Sequence, residues 1–249
     1  MTVHMVGGPA SVPNVRLERE PLPREELEWP GHAGLRLGWT LADTRVPSRT
    51  AREAAEMLAE MRSLRAVVLR QVHSDRISLI DSQRGPEVGL DAVGDGMITD
   101  RTDLLIGVSA ADCAPLFLFA DAWTAILHAG WRGVVQGILP RALELLQLRT
   151  GLGIEQMQLA IGPCIGPCCF EVSPAVAALF PASVRRMHGQ RRAIDIPGAV
   201  IDQWLRCGGG MASLLRLDRC TVCSRPLMHS HRREPGPCRN LAYLYHTPV

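Results

Sequence analysis

Neither sign of charge dominates this chain of 249 residues: 27 basic side chains stand against 25 acidic ones, for a net charge of +2. That balance argues against an electrostatic nucleic-acid binder, which carries a strong basic excess. Long uninterrupted apolar runs are missing as well. The longest, Leu116 to Trp131, is broken by Asp121 and His128, so no membrane span is expected. The N-terminal MTVHMVGGPASVP has no basic segment followed by an apolar core, so no signal peptide is expected and a cytoplasmic location is. No internal repeat, linker or second CxxC stands out. With no export signal, the 8 cysteines are expected to bind metal, catalyse or fill core rather than pair as disulfides.

What is present is apolar enough to fold. Hydrophobic residues make up 47% of the chain and charged ones 21%, the balance of a globular protein with a sizeable core. The fold expected is α/β: a single compact mixed-sheet domain over residues 36–249 with flanking helices. Residues 1–35, rich in Pro and Glu (EREPLPREELEWPG), read as an irregular N-terminal segment. A strand is expected at Gly34–Thr40, and a helix over Ser48–Arg65, where Ala51, Ala54, Ala55, Leu58, Met61 and Leu64 recur at helical spacing behind Ser48 or Thr50 as cap. RAVVLRQVH reads as a strand ending at His73, DRISLIDS as its continuation or partner, and DGMITD as a polar turn. LLIGVSAADCAPLFLFAD reads as two strands broken near Asp112–Pro115. AWTAILHAG is a further strand, and VVQGILPRALELLQLRTG a helix kinked or restarted at Pro140. A strand at MQLAIGPCIG, a helix behind Ser173 and Pro174, a basic loop at Arg185–Arg192, a helix over Ala199–Gly208 and a last strand in RNLAYLYH complete the reading.

Three strand ends carry chemistry: His73, Cys113 and His128. Two imidazoles and a thiolate suit zinc and leave a fourth position open for water or substrate. Their sequence spacing matches no short zinc motif. Taken singly, they read equally as a hydrogen-bonded loop histidine, a buried thiol and a satisfied core histidine. Cys220-Thr-Val-Cys223 competes for metal as half a zinc ribbon, with Cys164, Cys168 and Cys169 available to complete it, or stands as a redox pair or a pair of free thiols. SHRREPGPCR gathers Arg232, Arg233 and Arg239, whose guanidinium forks match phosphate or carboxylate oxygens; a solvated basic turn is the plainer alternative. Arg132, in GWRGVVQG, opens a helix where backbone N–H groups meet anions, or forms an ordinary surface ion pair.

QVHSDRI, DGMITD, ADCAPLFLF, ILHAGWRGVVQGIL, IGPCIGPCCFEV, CTVCS and SHRRE, in that order, resemble segments of the laccase-domain family, also called polyphenol oxidase-like or YfiH-like. The resemblance covers roughly Leu69 to Leu244. It implies a metal site at His73, Cys113 and His128, holding zinc with copper as a possible substitute. It also implies purine nucleoside phosphorylase activity on adenosine, inosine and methylthioadenosine, with adenosine deamination beside it. The implied partners are small-molecule purine nucleosides and phosphate, for a monomer or homodimer. Asp112 and Arg233 are then candidate catalytic residues, and Arg132, Arg232 and Arg239 candidate substrate or phosphate ligands. Two departures from the family pattern are visible. GHAGLRLGWTLADTRVPS replaces the usual opening segments, and Gly236-Pro237-Cys238-Arg239 replaces a Gly followed by Thr-Gly-Arg. Three alternatives stay open: a Cys–His hydrolase or deamidase with Cys113 as nucleophile and His128 as base, a copper-dependent phenol oxidase, and a catalytically weakened metal-binding protein. The multicopper reading fits poorly, because the 8 histidines include only one HxH pair, His229-Ser-His231.

Overall fold

A computed structural model of the chain describes residues 3–5, 16–18, 22–29, 32, 34–42, 50–82 and 92–247. Two large sheets lie face to face. The first runs β1 (Val3–Met5), β14 (Leu214–Leu217), β11 (Gln158–Ile161), β9 (Ala114–Ala120), β10 (Trp123–Ala129), β7 (Gly96–Thr99) and β6 (Ile77–Ile80). The second runs β2 (Arg16–Glu18), β3 (Arg24–Glu28), β4 (Leu35–Thr40), β15 (Asn240–His246), β8 (Leu104–Ala110) and β5 (Arg65–Val68). Both are mixed: β5–β8, β6–β7 and β11–β14 pair in parallel, the other pairs antiparallel. A hairpin of β12 (Arg185–His188) and β13 (Arg191–Ile194) stands apart.

Strand β9 shows why the layers stack. Its run APLFLFA is buried throughout, which a strand tolerates only when both sheet faces are covered. Ala114, Leu116, Leu118 and Ala120 pack on one side with α3 (Ile138–Thr150) and α5 (Ile196–Arg206). Phe117 and Phe119 point the other way, against Leu37, Trp39 and Ile106 of the second sheet. The period-two alternation thus divides one apolar run between two cores. On the far side of the second sheet, Leu241, Tyr243 and Tyr245 pack against α1 (Ala51–Glu60). The order of layers is helices, sheet, sheet, helix, as a mixed α/β domain requires.

Local signals act where the sequence places them. Thr50 caps α1 in a capping box with Glu53, a motif worth about 1 kcal/mol. The helix stops at Glu60, short of Arg65, because Arg65–Val68 joins the second sheet; Ser48 lies outside the described residues. Gly137, at φ 86°, separates α2 (Trp131–Gln136) from α3, so the break falls at the glycine. Pro140 sits in the first turn of α3, where the missing N–H has no intrahelical partner to lose. Ser173 caps α4 (Pro174–Ala178) through the Val176 amide.

Three expectations are corrected. Where it is described, the segment before residue 36 is not irregular: β3 lies inside the second sheet and buries Leu27. Its charges hid this, and they are paired rather than solvated. Glu25 accepts hydrogen bonds from Trp39 Nε1 at 2.9 Å and from Arg219. Glu26 accepts from the hydroxyls of Tyr243 and Tyr245, each at 2.8 Å. DGMITD is not a turn, for Gly96–Thr99 is a fully buried strand between β10 and β6, with Thr99 Oγ1 satisfied by the Ile80 carbonyl at 2.6 Å. Arg185–Arg192 is not a loop but a hairpin turned at Gly189, φ 63°, with β12 exposed along its length, Arg185 donating to the Phe180 carbonyl and Arg186 paired with Asp195. Among the described residues, no helix is long and apolar enough to cross a membrane.

Candidate metal centre and its cavity

His128 continues β10 on the face of Ile126, the face that looks between the sheets, and it is 3% exposed. Cys113 lies in the three-residue link between β8 and β9. His73 arrives from a loop beyond β5, five residues past the strand's end, in a left-handed conformation at φ 59°. One donor atom from each of these three residues lies within 4.8 Å of the others.

The residue that organises this loop escaped the sequence reading: Asp95, fully buried beside β7. Its carboxylate accepts the backbone N–H groups of Val72 (3.2 Å), His73 (3.0 Å) and Ser74 (2.7 Å), and the Ser74 hydroxyl (2.7 Å). It also meets His128 Nδ1 at 2.9 Å, while its carbonyl accepts the His128 N–H at 2.6 Å. Gathering three successive amides curls the chain into the left-handed turn at His73, a conformation that costs about 1–2 kcal/mol for a residue with a Cβ. Burial alone would push the Asp95 carboxyl up in pKa. The His128 and Ser74 hydrogen bonds outweigh it and hold the group well below the usual carboxylate range.

With Nδ1 of His128 committed to Asp95, Nε2 is the nitrogen left for a metal. A carboxylate behind a ligating imidazole fixes its tautomer and raises its basicity. Backbone space agrees with a ligand cluster: a Cβ on Gly130 would lie 3.0 Å from Cys113 Sγ and 3.2 Å from His73 Cδ2. The first glycine of HAGWRG, Gly130, therefore lets the chain pass close behind both donors, and its φ of −71° shows that space, not backbone freedom, is what it supplies.

Without a metal the donors share protons. Burial would raise the Cys113 thiol, but the His128 and His73 imidazoles bring it down to about 6. Burial would lower His128, yet the thiolate and Asp95 carry it up to about 9. Between these values the pair is thiolate and imidazolium, so a metal must displace the His128 proton. Metal uptake between pH 6 and 9 is expected to release about one proton per ion from this pair, with affinity rising about tenfold per pH unit. Below pH 6 the thiol must also lose its proton and the slope steepens. Calorimetric titration of zinc in buffers of different ionisation enthalpy measures the proton count.

A cavity of about 530 Å³ opens over the three donors, within the usual range for small-molecule sites. Leu69, Ile165 and Phe170 give it apolar walls, and Asp112, His231, Arg232 and Arg239 give it polar ones. Arg232 is held in place: Nη1 donates to the Cys169 carbonyl at 3.0 Å and Nη2 to the Glu171 carbonyl at 2.9 Å. Asp112, at φ 92°, has both carboxylate oxygens engaged, by the Thr221 hydroxyl at 2.6 Å and the Arg232 backbone N–H at 2.7 Å. Arg239 donates through Nη1 to the carbonyls of Gly236 (2.6 Å) and Cys238 (2.8 Å).

Two arginines singled out in the sequence are not among the cavity's lining residues. Arg233 turns its guanidinium onto the carbonyls of Thr221 (3.0 Å), Val222 (2.9 Å) and Met228 (2.5 Å). Arg132 lies over the Trp131 ring, 4.4 Å from its centroid. A sequence pattern locates an arginine-rich turn but not the direction of each side chain. His231, half of the HxH pair, also lines the cavity.

A family model described as multi-copper polyphenol oxidoreductase laccase matches residues 28–245. Purine nucleoside phosphorylase YlmD of Geobacillus stearothermophilus is 31% identical over 229 residues, covering 85% of this chain and 83% of that protein. Adenosine deaminase RL5, from an unknown prokaryotic organism, is 31% identical over 183 residues, covering 67% of this chain and 69% of that protein. The crystal structure of the Geobacillus YlmD superposes with a TM-score of 0.80 at 27% identity, over 93% of this chain and 99% of that one.

Proposed function

The chain belongs to the family described as multi-copper polyphenol oxidoreductase laccase, and from that membership we propose that it is a zinc-dependent purine nucleoside phosphorylase with adenosine deamination as a second activity. Adenosine, inosine and methylthioadenosine are the substrates in this reading, and phosphate the co-substrate. The names carried by its relatives support the reaction class. The observation that carries the reading is the cluster of His73, Cys113 and His128 on the floor of a cavity walled by Arg232 and Arg239.

His73, Cys113 and His128 would hold zinc, which supplies Lewis-acid polarisation at the cavity floor. The same two imidazoles and thiolate also accept copper. Asp95 keeps His128 in the tautomer that binding needs. Leu69, Ile165 and Phe170 receive the purine, and Arg232 and Arg239 hold phosphate through paired hydrogen bonds. Arg232 is preorganised by its two carbonyl partners and by Asp112, so Asp112 acts by positioning rather than by exchanging a proton. In phosphorolysis a phosphate oxygen bonds to the ribose carbon, the carbon–nitrogen bond to the base breaks, and the base leaves with a proton. His231 is the cavity residue assigned to that proton. Holding phosphate beside the ribose carbon supplies much of the rate.

Incubating the protein with each nucleoside, with and without phosphate, and separating the products tests the proposal. Release of free base that requires phosphate supports it, and absence of phosphate-dependent release from all three nucleosides contradicts it. Arg239→Ala sharpens the assignment. Losing one charge-assisted contact removes about 1.5–3 kcal/mol, a fall of roughly ten- to a hundredfold in phosphate-dependent base release. The KM for phosphate is expected to rise, while inosine formation from adenosine, which needs no phosphate, changes little. Arg233→Ala is expected to lower the melting temperature and leave the phosphate KM nearly unchanged. Chromatography across a phosphate series reads both.

One feature favours a second reading. Cys113, His128 and Asp95 form a thiolate–imidazolium pair backed by a carboxylate, the arrangement of a cysteine hydrolase. The two readings differ in whether turnover survives removal of the metal.

A further inference from the structure

A second cluster of sulfur lies outside the cavity floor. Cys168 and Cys169 come from the turn after β11, Cys220 and Cys223 from the CTVC turn after β14, and their four Sγ atoms all lie within 4.8 Å of one another. We propose that these four thiolates bind a structural zinc ion, distinct from the metal held by His73, Cys113 and His128.

Geometry favours a tetrahedral metal over the other uses of four thiols. Zn–S bonds of about 2.3 Å set the sulfur–sulfur edge of a tetrahedron at about 3.8 Å. Cys168 Sγ and Cys223 Sγ are 3.7 Å apart, whereas a disulfide needs about 2.05 Å. Core filling does not account for the group, because Cys168 and Cys223 are exposed while the neighbouring Cys164 is buried. The backbone is arranged for sulfur as well. The Gly166 N–H donates to Cys220 Sγ at 3.3 Å, a contact that stabilises thiolate over thiol. A Cβ at Gly166 would sit 3.2 Å from Cys168 Sγ, so a glycine keeps the passage open.

The two turns are already aligned. Cys164 and Cys220 form a parallel bridge, the Cys164 N–H donating to the Arg219 carbonyl at 3.2 Å and the Thr221 N–H to the Cys164 carbonyl at 3.1 Å. A metal here joins segments 55 residues apart, next to the groups that shape the cavity. The Cys169 carbonyl holds Arg232, the Thr221 hydroxyl holds Asp112, and the Thr221 and Val222 carbonyls hold Arg233. The second ion thus braces the phosphate side of the cavity without touching substrate.

Protein purified anaerobically with reductant is expected to carry about two zinc ions per chain, one at each cluster. Cys113→Ala removes the cavity ion and is expected to keep the other. Zinc X-ray absorption of that variant is expected to show four sulfur neighbours at about 2.3 Å. The double variant Cys168→Ser, Cys223→Ser is expected to keep only the cavity ion, with a mixed nitrogen and sulfur shell, and to melt at lower temperature with a raised KM for phosphate. Should that variant not fold, the absorption spectrum of the Cys113→Ala protein decides alone. Folded Cys113→Ala protein without zinc, a shell with fewer than four sulfurs, or a Cys168–Cys223 disulfide in the reduced preparation would overturn the proposal. Failure of the cavity reading looks different: Cys113→Ala would then keep all the zinc of the unaltered chain.

Discussion

Changing Cys113 to alanine is expected to empty the cavity site and to lower phosphate-dependent nucleoside turnover by more than about a thousandfold. The size follows from what this side chain contributes. Cys113 is the anionic member of the three donors, and two neutral imidazoles alone make a weak site for a divalent ion. The same change also removes the thiolate that sustains the His128 proton. Folding should survive, because Cys113 sits in a short link and belongs to none of the buried clusters that hold the sheets and helices together. Metal analysis, turnover and a thermal melt on one preparation test this. Full turnover in metal-depleted Cys113→Ala protein would contradict the assigned role.

Asp95→Asn is expected to weaken metal binding by about ten- to a hundredfold and to destabilise the fold as well. An aspartate carboxylate accepts all five donors around it; an asparagine offers one oxygen and turns an NH₂ toward the rest. The part-buried amides of the 72–74 loop would lose their acceptor, at up to about 1–3 kcal/mol for each left without a partner or water. His128 would lose the partner that fixes its tautomer. Competition with a chelator measures affinity, and nitrogen NMR of the imidazole reports the tautomer. Unaltered affinity together with an unaltered tautomer would sink the idea. The pH dependence has a definite sign. Folding holds the Asp95 carboxyl below its ordinary range, so the stability it contributes is complete above that range and is lost as pH falls through it toward the depressed folded value.

His73, Cys113 and His128 stood out in the sequence because each lies in or beside an apolar segment, a local signal, although only His128 lies in a strand. Asp95 did not. Its five partners come from residues 21 to 33 positions away, and DGMITD looks polar only because its flanking aspartates frame a buried strand. Charge misled in the same way at β3, where Glu25 and Glu26 make the segment read as irregular and are satisfied by residues near the C-terminus. The cysteine pair CTVC was visible as half of a metal site. Its completion by Cys168 and Cys169 depends on the parallel bridge between Cys164 and Cys220, a contact that spacing does not encode. Arg232 and Arg233 are adjacent in sequence but point to different partners, because backbone carbonyls capture one guanidinium outside the cavity and fix the other at its wall.

Phosphate-dependent adenine release from adenosine, measured on metal-stripped protein before and after zinc is restored, tests the central claim most directly. Almost no release is expected from the stripped protein, with recovery as zinc returns to His73, Cys113 and His128. Undiminished release from stripped protein, with Cys113 still required, would contradict that claim and transfer the chemistry to the cysteine–histidine pair.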